Sequence, residues 1–354
     1  MPKPPIRRIA ASVLMLASPV ILAQSENQTE TQSEARSEAR EQIARRCEAA
    51  EALATTGLAR GFLAAGRELG PMPAPRSVYF SETDRRYIDR AGYDALPEGE
   101  RAAFERREID EATYYGRSSP PVLWVRALDL VAEAGFDSAD GKKIVDFGFG
   151  NVAQLRMLAS LGADTVGIEI EGFHDVAFGY PADTGPVGRA EAAGPGRDGS
   201  IDLAFGRWPS TPEIIDHVGG GIDLFMTKNT LKKGYIHPER EAPDRWLIDL
   251  GVDDETFVRE LYGALAPGGY VLIYNLYPKP AGPDERYIPW ASGECPFGAS
   301  LLRRAGFELV SFNEDDSDAA HDMWLTLGIG GEQTREELRE GLFAMVTILR
   351  KPLD

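Results

Sequence analysis

The sequence is poor in the residues that build metal centres and disulfide frameworks. Its 354 residues include two cysteines and four histidines, and none of them forms a C-x-x-C, H-E-x-x-H or EF-hand spacing. We therefore expect no structural metal. Cys47 and Cys295 are expected to be two buried, unpaired thiols; a disulfide between them is the alternative in an oxidising compartment.

Positive charge is also scarce. Lysine and arginine number 38 against 56 aspartate and glutamate residues, which gives a formal net charge of −18. Nucleic acids and anionic membrane surfaces bind clustered lysine and arginine, so neither is expected as a main partner.

Long apolar runs are lacking apart from the one near the start. Met1 to Ala23 has a basic beginning, an apolar run from Ile9 and a helix-breaking Pro19, which together predict a cleaved signal peptide. The run is shorter than the ~20 residues of a membrane-spanning helix, so we expect no stable membrane anchor. Periplasmic or secreted localisation follows, and cytoplasmic localisation is the alternative if this leader is misread.

The most informative stretch is Lys142 to Glu171. An apolar run from Ile144 to Phe147 predicts a buried strand, which breaks at Gly148 and Gly150. Apolar residues at helical spacing follow, and a second strand is predicted for 165–170. This pattern predicts a β-α-β unit.

Two classes of cofactor use such a unit. Gly148, Gly150 and Ala153 satisfy the G-x-G-x-x-G/A dinucleotide pattern, and Glu169 lies where a ribose-binding acid is expected. Asp146 discriminates between the two classes, because a carboxylate ahead of the turn repels a diphosphate. It attracts the ammonium and sulfonium groups of S-adenosylmethionine.

On Asp146, Gly148, Gly150 and Glu169, the chain resembles the class I S-adenosylmethionine-dependent methyltransferases. The resemblance implies S-adenosylmethionine as cofactor. It also implies an α/β fold: a doubly wound, seven-stranded Rossmann-like sheet with a terminal β-hairpin. With an N-terminal helical cap, the predicted organisation is a signal peptide (1–23), a polar, solvated linker (24–46), a helical cap (47–119) and a methyltransferase domain (120–354).

The resemblance also suggests site residues beyond the glycine turn. Arg207 follows the predicted third strand, where the family commonly has an acid for the adenine amino group, and the backbone is expected to make that contact here. Trp208 is expected either to stack on the adenine or to lie in the core.

The loop after the predicted fourth strand, 222–226, is expected to face the transferred methyl group. Lys228 and Asn229 are predicted to orient the acceptor, and Tyr235 or His237 is the candidate general base if one is needed.

For other polar residues the expected roles are less specific. Lys232 and Lys233 are predicted to be solvated. Tyr114, Tyr115 and Arg117 either shape the acceptor site or pack the cap onto the domain.

The predicted function is methyl transfer to an oxygen or nitrogen of a small molecule or protein, with a neutral or cationic acceptor favoured by the acidic surface. Two alternatives stay open. An NAD(P)-dependent oxidoreductase would fit the dinucleotide pattern. A non-catalytic binding module would fit Val152, which replaces a small residue usual in the family, together with Arg207 and the exported location.

Overall fold

Most apolar runs of the sequence become strands. The computed structural model describes residues 28–117, 119–170 and 172–353; the predicted leader and Glu171, the end of the predicted β-α-β unit, lie outside them. In chain order the strands are β1 (Arg76–Ser81), β2 (Arg86–Ile88), β3 (Phe104–Ile109), β4 (Lys143–Phe147), β5 (Asp164–Glu169), β6 (Gly185–Val187), β7 (Gly199–Phe205), β8 (Ile222–Lys228), β9 (Leu265–Pro278), β10 (Glu308–Asp315) and β11 (Leu342–Arg350).

The α-helices of the described residues alternate with these strands and cover the sheet. They are α1 (Gln28–Ala49), α2 (Gly57–Arg67), α3 (Arg90–Ala95), α4 (Glu98–Arg101), α5 (Glu111–Gly116), α6 (Val125–Glu133), α7 (Ala153–Ala159), α8 (Phe173–Phe178), α9 (Pro212–Val218), α10 (Lys233–Ile236), α11 (Asp254–Ala264), α12 (Ala299–Arg304), α13 (Ser317–Thr326) and α14 (Arg335–Gly341).

The central sheet is mostly parallel, as predicted. Its strand order is β10-β11-β9-β8-β4-β5-β7-β6. The pairs β4–β5, β4–β8, β5–β7 and β8–β9 are parallel. The chain runs outward from β4 in both directions, so the sheet has a topological switch point between β4 and β8, where ligands of open α/β sheets bind.

The sheet differs from the prediction in the number of strands. We expected seven, and eight occur within the described residues, because the short β6 pairs antiparallel with β7 at one edge. At the other edge β11 is antiparallel to both β9 and β10. Helices α13 and α14 lie between β10 and β11, so the expected terminal hairpin is an antiparallel pair with a helical connection.

The predicted helical cap is only partly helical. Strands β1, β2 and β3 form a separate antiparallel sheet in the order β2-β1-β3. The prediction was wrong here because β3 is mostly charged and exposed, and its strand conformation comes from pairing with β1, which no local pattern encodes.

From residue 38 onward, the predicted linker packs against the domain. Helix α1 runs through it, with Ile43 6% and Cys47 0% exposed. Arg40 Nε lies 3.0 Å from Glu111 Oε2 in an ion pair whose carboxylate side chain is 1% exposed. The expectation of a solvated tail is therefore wrong for residues 38–46.

The sheet separates two apolar cores. Neighbouring residues of β4 point to opposite faces: Ile144 packs in one core with Cys47, and Val145 packs in the other with Cys295. Both cysteines are buried and unpaired, as expected. No helix among the described residues is long and apolar enough to cross a bilayer.

Candidate functional site

The glycine turn after β4 folds back onto the end of β5. Gly148 and Gly150 have φ angles of +77° and +64°, a region that side chains disfavour. The Gly148 N–H donates to the Ile168 carbonyl at 2.8 Å, and the Gly150 N–H donates to Glu169 Oε2 at 3.3 Å. A Cβ on Gly148 would lie 2.1 Å from Thr230 Oγ1, so only glycine fits there.

Asp146 lies at the end of β4 and is fully buried, with 0% exposure. Its Oδ2 accepts a hydrogen bond from Gln154 Nε2 at 2.9 Å. Its Oδ1 has no hydrogen-bond partner among the described residues. Burial raises the pKa of Asp146 to about 7, against the Gln154 hydrogen bond and the charge of Lys228, which lower it. A buried acceptor left free in this way favours a cationic donor.

Glu169 ends β5, and its side chain is 15% exposed. Its Oε1 accepts from the Ile170 N–H at 3.0 Å, so backbone donors hold both carboxylate oxygens. His174 Nε2 lies 3.9 Å from Glu169 Oε2 and has no hydrogen-bond partner among the described residues. Burial lowers the pKa of His174, and the charge of Glu169 opposes this.

A cleft lies beyond the ends of β4, β5 and β7. Its volume is about 80 Å³. Its walls are largely apolar, and Ile170, with 59% exposure, adds an exposed apolar edge. The cleft is lined by Phe147, Gly148, Ile168, Glu169, Ile170, Gly206, Arg207, Trp208, Thr230, Ile248, Asp249 and Leu250.

Arg207 and Trp208 both line this cleft, in different ways. The Arg207 guanidinium is exposed and lies 3.0 Å from Asp249 Oδ2 in an ion pair. Trp208 is 3% exposed and packs edge to face on Phe147 and Phe257, at ring distances of 6.4 and 5.4 Å. Trp208 is thus a core residue that also forms a cleft wall.

Lys228 ends β8, on the other side of the switch point, and is 8% exposed. Its Nζ has no hydrogen-bond partner among the described residues and lies 5.0 Å from the centre of the Trp124 ring. Burial lowers the pKa of Lys228 to about 7, although the charge of Asp146 acts to raise it. Lys228 and Asp146 are therefore close enough to influence each other's charge.

Asn229 follows Lys228 but does not offer its side chain to a ligand. Its Oδ1 accepts from the Leu276 N–H at 2.8 Å, and its own N–H donates to Asn275 Oδ1 at 3.1 Å. Its φ angle is +66°. The predicted acceptor-orienting role does not fit this geometry, because the amide oxygen joins the end of β8 to β9.

The two candidate bases do not line the cleft beyond β4, β5 and β7. His237 Nε2 lies 2.9 Å from Asp254 Oδ2. It lines a separate open cleft of about 580 Å³, which shares only the wall of Ile248, Asp249 and Leu250 with the first. The ring of Tyr235 lies over a buried lysine. Burial raises the pKa of Tyr235, so its hydroxyl is a poorer base at neutral pH.

That lysine is Lys232, for which the prediction of a solvated side chain is wrong. Lys232 is 0% exposed. Its Nζ donates to the Leu276 carbonyl at 2.6 Å and to the Trp290 carbonyl at 3.4 Å. Lys233 is more exposed, and its Nζ lies 2.8 Å from Glu294 Oε2. Its environment is therefore close to the predicted solvated one.

The aromatic residues of the cap pack against the domain. Tyr114 and Tyr115 are 0% and 1% exposed. The Tyr114 hydroxyl donates to Asp183 Oδ1 at 2.6 Å, and the Tyr115 hydroxyl donates to the Gly70 carbonyl at 2.8 Å. The Arg117 guanidinium lies 3.4 Å from the centre of the Phe173 ring. Of the two roles considered, packing fits these contacts.

Sequence reasoning did not single out four residues that the structure brings to the site. Gln154 and Trp124 contact Asp146 and Lys228, and Ile170 and His174 flank Glu169. Gln154 could have been identified from the sequence, because it is a polar residue among the apolar, buried residues of α7. The described residues contain no cluster of side chains able to hold a metal ion.

No family model and no curated protein matches the chain. Many of the solved structures it resembles are class I S-adenosylmethionine-dependent methyltransferases. The [4+2]-cyclase SpnF is 20% identical, with a TM-score of 0.37, over 65% of this chain and 81% of that chain. An S-adenosylmethionine-dependent methyltransferase from Mesorhizobium loti is 17% identical, with a TM-score of 0.35, over 64% of this chain and 98% of that chain.

A third similar structure is phosphoethanolamine N-methyltransferase 2 from Haemonchus contortus in complex with S-adenosyl-L-methionine. It is 11% identical, with a TM-score of 0.37, over 79% of this chain and 68% of that chain. Similarities with TM-scores this low carry no argument about activity.

Proposed function

We propose that the protein is an S-adenosylmethionine-dependent methyltransferase that methylates an oxygen or nitrogen of a small molecule or protein. The observation that carries the proposal is Asp146. A carboxylate with 0% exposure and one unpartnered oxygen lies directly ahead of a glycine turn, at the switch point of a parallel sheet.

The residues of the site fit the cofactor's chemical groups. Asp146, oriented by Gln154, would accept from the ammonium group, and Glu169 would accept from the ribose hydroxyls. The turn at Gly148 lets the backbone approach closely, and Ile170 offers an apolar surface to the base. When bound, S-adenosylmethionine supplies a methyl group on a positively charged sulfur.

A dinucleotide fits the same turn less well. Its diphosphate would bring negative charge close to Asp146 in a site shielded from water, where like charges repel strongly.

The acceptor is expected at the end of β8. Lys228 lies there with a free, buried Nζ, whereas Asn229, Tyr235 and His237 are engaged in other contacts. Of the predicted catalytic residues, Lys228 is therefore the one that we expect to lie beside the acceptor.

Calorimetric titration with S-adenosylhomocysteine and NADH tests the proposal. We expect S-adenosylhomocysteine to bind and NADH not to bind. His217→Gln provides a matched control, since His217 is a surface residue paired with Asp202 and its loss should leave binding unchanged. Binding of NADH without S-adenosylhomocysteine would replace this proposal with an oxidoreductase. Binding without transfer to any acceptor would favour the non-catalytic alternative.

A further inference from the structure

Lys228 is a buried amine whose Nζ has no hydrogen-bonded counter-ion among the described residues. It is 8% exposed, and its Nζ has no hydrogen-bond partner among the described residues. The ring of Trp124 faces it at 5.0 Å, and Asp146 on the neighbouring strand β4 is the charged group that acts on its pKa. Burying a charged amine is costly unless it is paired, so the position calls for an anionic partner.

The charges nearest the transferred methyl group favour this partner most when the cofactor is bound. Near the transferred methyl group, Asp146 and Lys228 together carry no net charge; the carboxylate of Glu169 is assigned to the ribose, and two backbone N–H groups donate to it. The cofactor assigned above brings a carboxylate, an ammonium group and a sulfonium group, which adds one positive charge. A cationic acceptor would add a further positive charge beside the sulfonium group and Lys228 in a site shielded from water, whereas an anionic acceptor would offset the sulfonium charge.

The other polar groups at the end of β8 do not compensate Lys228. Asn229 Oδ1 accepts from the Leu276 N–H. The carboxylate of Asp254 faces His237 on a separate cleft. Asp146 is the acid whose charge acts on the pKa of Lys228, and the cofactor's ammonium group would compete for it.

We propose that the methyl acceptor is an oxygen acid that binds as its anion, in the simplest case a carboxylate, and that Lys228 binds it. This inference rests on the proposed function. In the transfer, the acceptor oxygen forms the bond to the methyl carbon, and the electron pair of the broken carbon–sulfur bond stays on sulfur. No proton has to be removed, so the reaction needs no general base, in agreement with the positions of Tyr235 and His237.

The charge of the whole chain does not decide against an anionic acceptor. The net charge of −18 disfavours approach at long range, and an acidic surface led us to expect a neutral or cationic acceptor. Surface charges are screened beyond about 10 Å in ordinary salt, whereas buried charges at the site are screened much less. Lys228 and the bound sulfonium therefore dominate at the position of the acceptor.

Three small probes of similar size test the inference without assumptions about acceptor shape. Formate, formamide and methylammonium are titrated into the protein saturated with S-adenosylmethionine, and binding is followed by saturation-transfer NMR. We expect formate to bind saturably and methylammonium not to bind. Formate should bind more weakly when S-adenosylhomocysteine, which lacks the sulfonium charge, replaces S-adenosylmethionine.

Two lysine variants show whether Lys228 is the group responsible. Lys228→Met should weaken formate binding about tenfold or more, as expected for a lost charge-assisted hydrogen bond. Lys233→Met is the matched control, because Lys233 is paired with Glu294 on the surface of the same loop, and formate should bind to it as to the wild type. The wild-type titrations decide the matter even if Lys228→Met does not fold.

The outcomes separate the inference from the proposed function. Failure of the wild type to bind either cofactor form overturns the proposed function. Cofactor binding with equal affinity for formate and formamide, or with binding of methylammonium, overturns the inference alone. Loss of cofactor affinity in Lys228→Met, without any formate binding to the wild-type complex, also overturns it, because Lys228 would then bind the cofactor's own carboxylate.

Discussion

The two sides of the switch point are built from different kinds of contact. On the β4–β5 side, polar contacts form within one continuous stretch: Gly148 and Gly150 bond to the end of β5, and Gln154 bonds to Asp146. On the β8 side, Asn229 and the residues after it contact segments far away in the chain, such as Leu276, Trp290 and Asp254.

This difference separates ligand binding from structural support. The β4–β5 side leaves polar atoms free at Asp146 and His174, whereas most polar side chains after β8 are satisfied by the protein itself. Lys228, whose Nζ has no hydrogen-bond partner among the described residues, departs from this pattern. Substitutions on the two sides should therefore affect different measurements: ligand affinity on the first and the free energy of unfolding on the second.

The largest effect is expected at Lys232. Lys232→Ala leaves a cavity and removes the donor from the carbonyl groups of Leu276 and Trp290, so the free energy of unfolding should fall by about 3 kcal/mol. Chemical denaturation measures this. Lys233→Ala, at the neighbouring surface position, should change it by less than about 0.5 kcal/mol. Equal effects of the two substitutions would show that Lys232 is not buried.

Asn229 should come next. Asn229→Ala removes the acceptor of the Leu276 N–H and places an alanine at a φ of +66°. The free energy of unfolding should fall by about 2 kcal/mol. Asn229→Gly relieves the backbone strain but not the lost hydrogen bond, so denaturation should place it between alanine and wild type. An Asn229→Ala protein with wild-type stability and a reduced turnover would return Asn229 to the acceptor site.

The pH dependence of ligand binding should come from the β4 side. The pKa of Asp146 is raised to about 7 by burial, and only its ionised form attracts the ammonium group. Affinity for S-adenosylmethionine should therefore fall as the pH drops below 7, by up to about tenfold per pH unit for one proton. Protonation of Lys228 acts in the same direction. Calorimetry between pH 8 and 6 measures this, and Asp146→Asn should show a flatter profile; rising affinity at low pH would contradict the assignment.

The smallest effects should distinguish the two clefts. Glu169→Gln replaces a charged acceptor by a neutral one, so the affinity for S-adenosylhomocysteine should fall about fivefold, equivalent to about 1 kcal/mol. His237→Gln should leave it unchanged, because His237 faces Asp254 in the other cleft. A larger loss for His237→Gln than for Glu169→Gln would place the ligand in that second cleft.

The same contrast explains what the sequence could predict. The strands and turns around Asp146 follow from short-range patterns: an apolar run, glycines at positive φ, and a helix of apolar spacing. Their positions in the structure agree with the expected β-α-β unit. The prediction of a mostly parallel sheet succeeded for this reason.

The remaining predictions failed where the environment of a residue is set by distant segments. Nothing near Lys232 in the sequence indicates that the carbonyl groups of Leu276 and Trp290 surround its amine. Strand β3 is charged along most of its length and becomes a strand only through pairing with β1. Long-range contacts of this kind leave no periodic pattern in the sequence.

The most direct test of the account is a binding cycle on Asp146. Affinities of S-adenosylhomocysteine and of its analogue without the α-amino group are measured by calorimetry on the wild type and on Asp146→Asn. If Asp146 binds the ammonium group, the amino group should improve affinity for the wild type by about 10- to 100-fold and should make little difference for Asp146→Asn. The same ratio of affinities in both proteins would show that Asp146 does not bind the cofactor's amine.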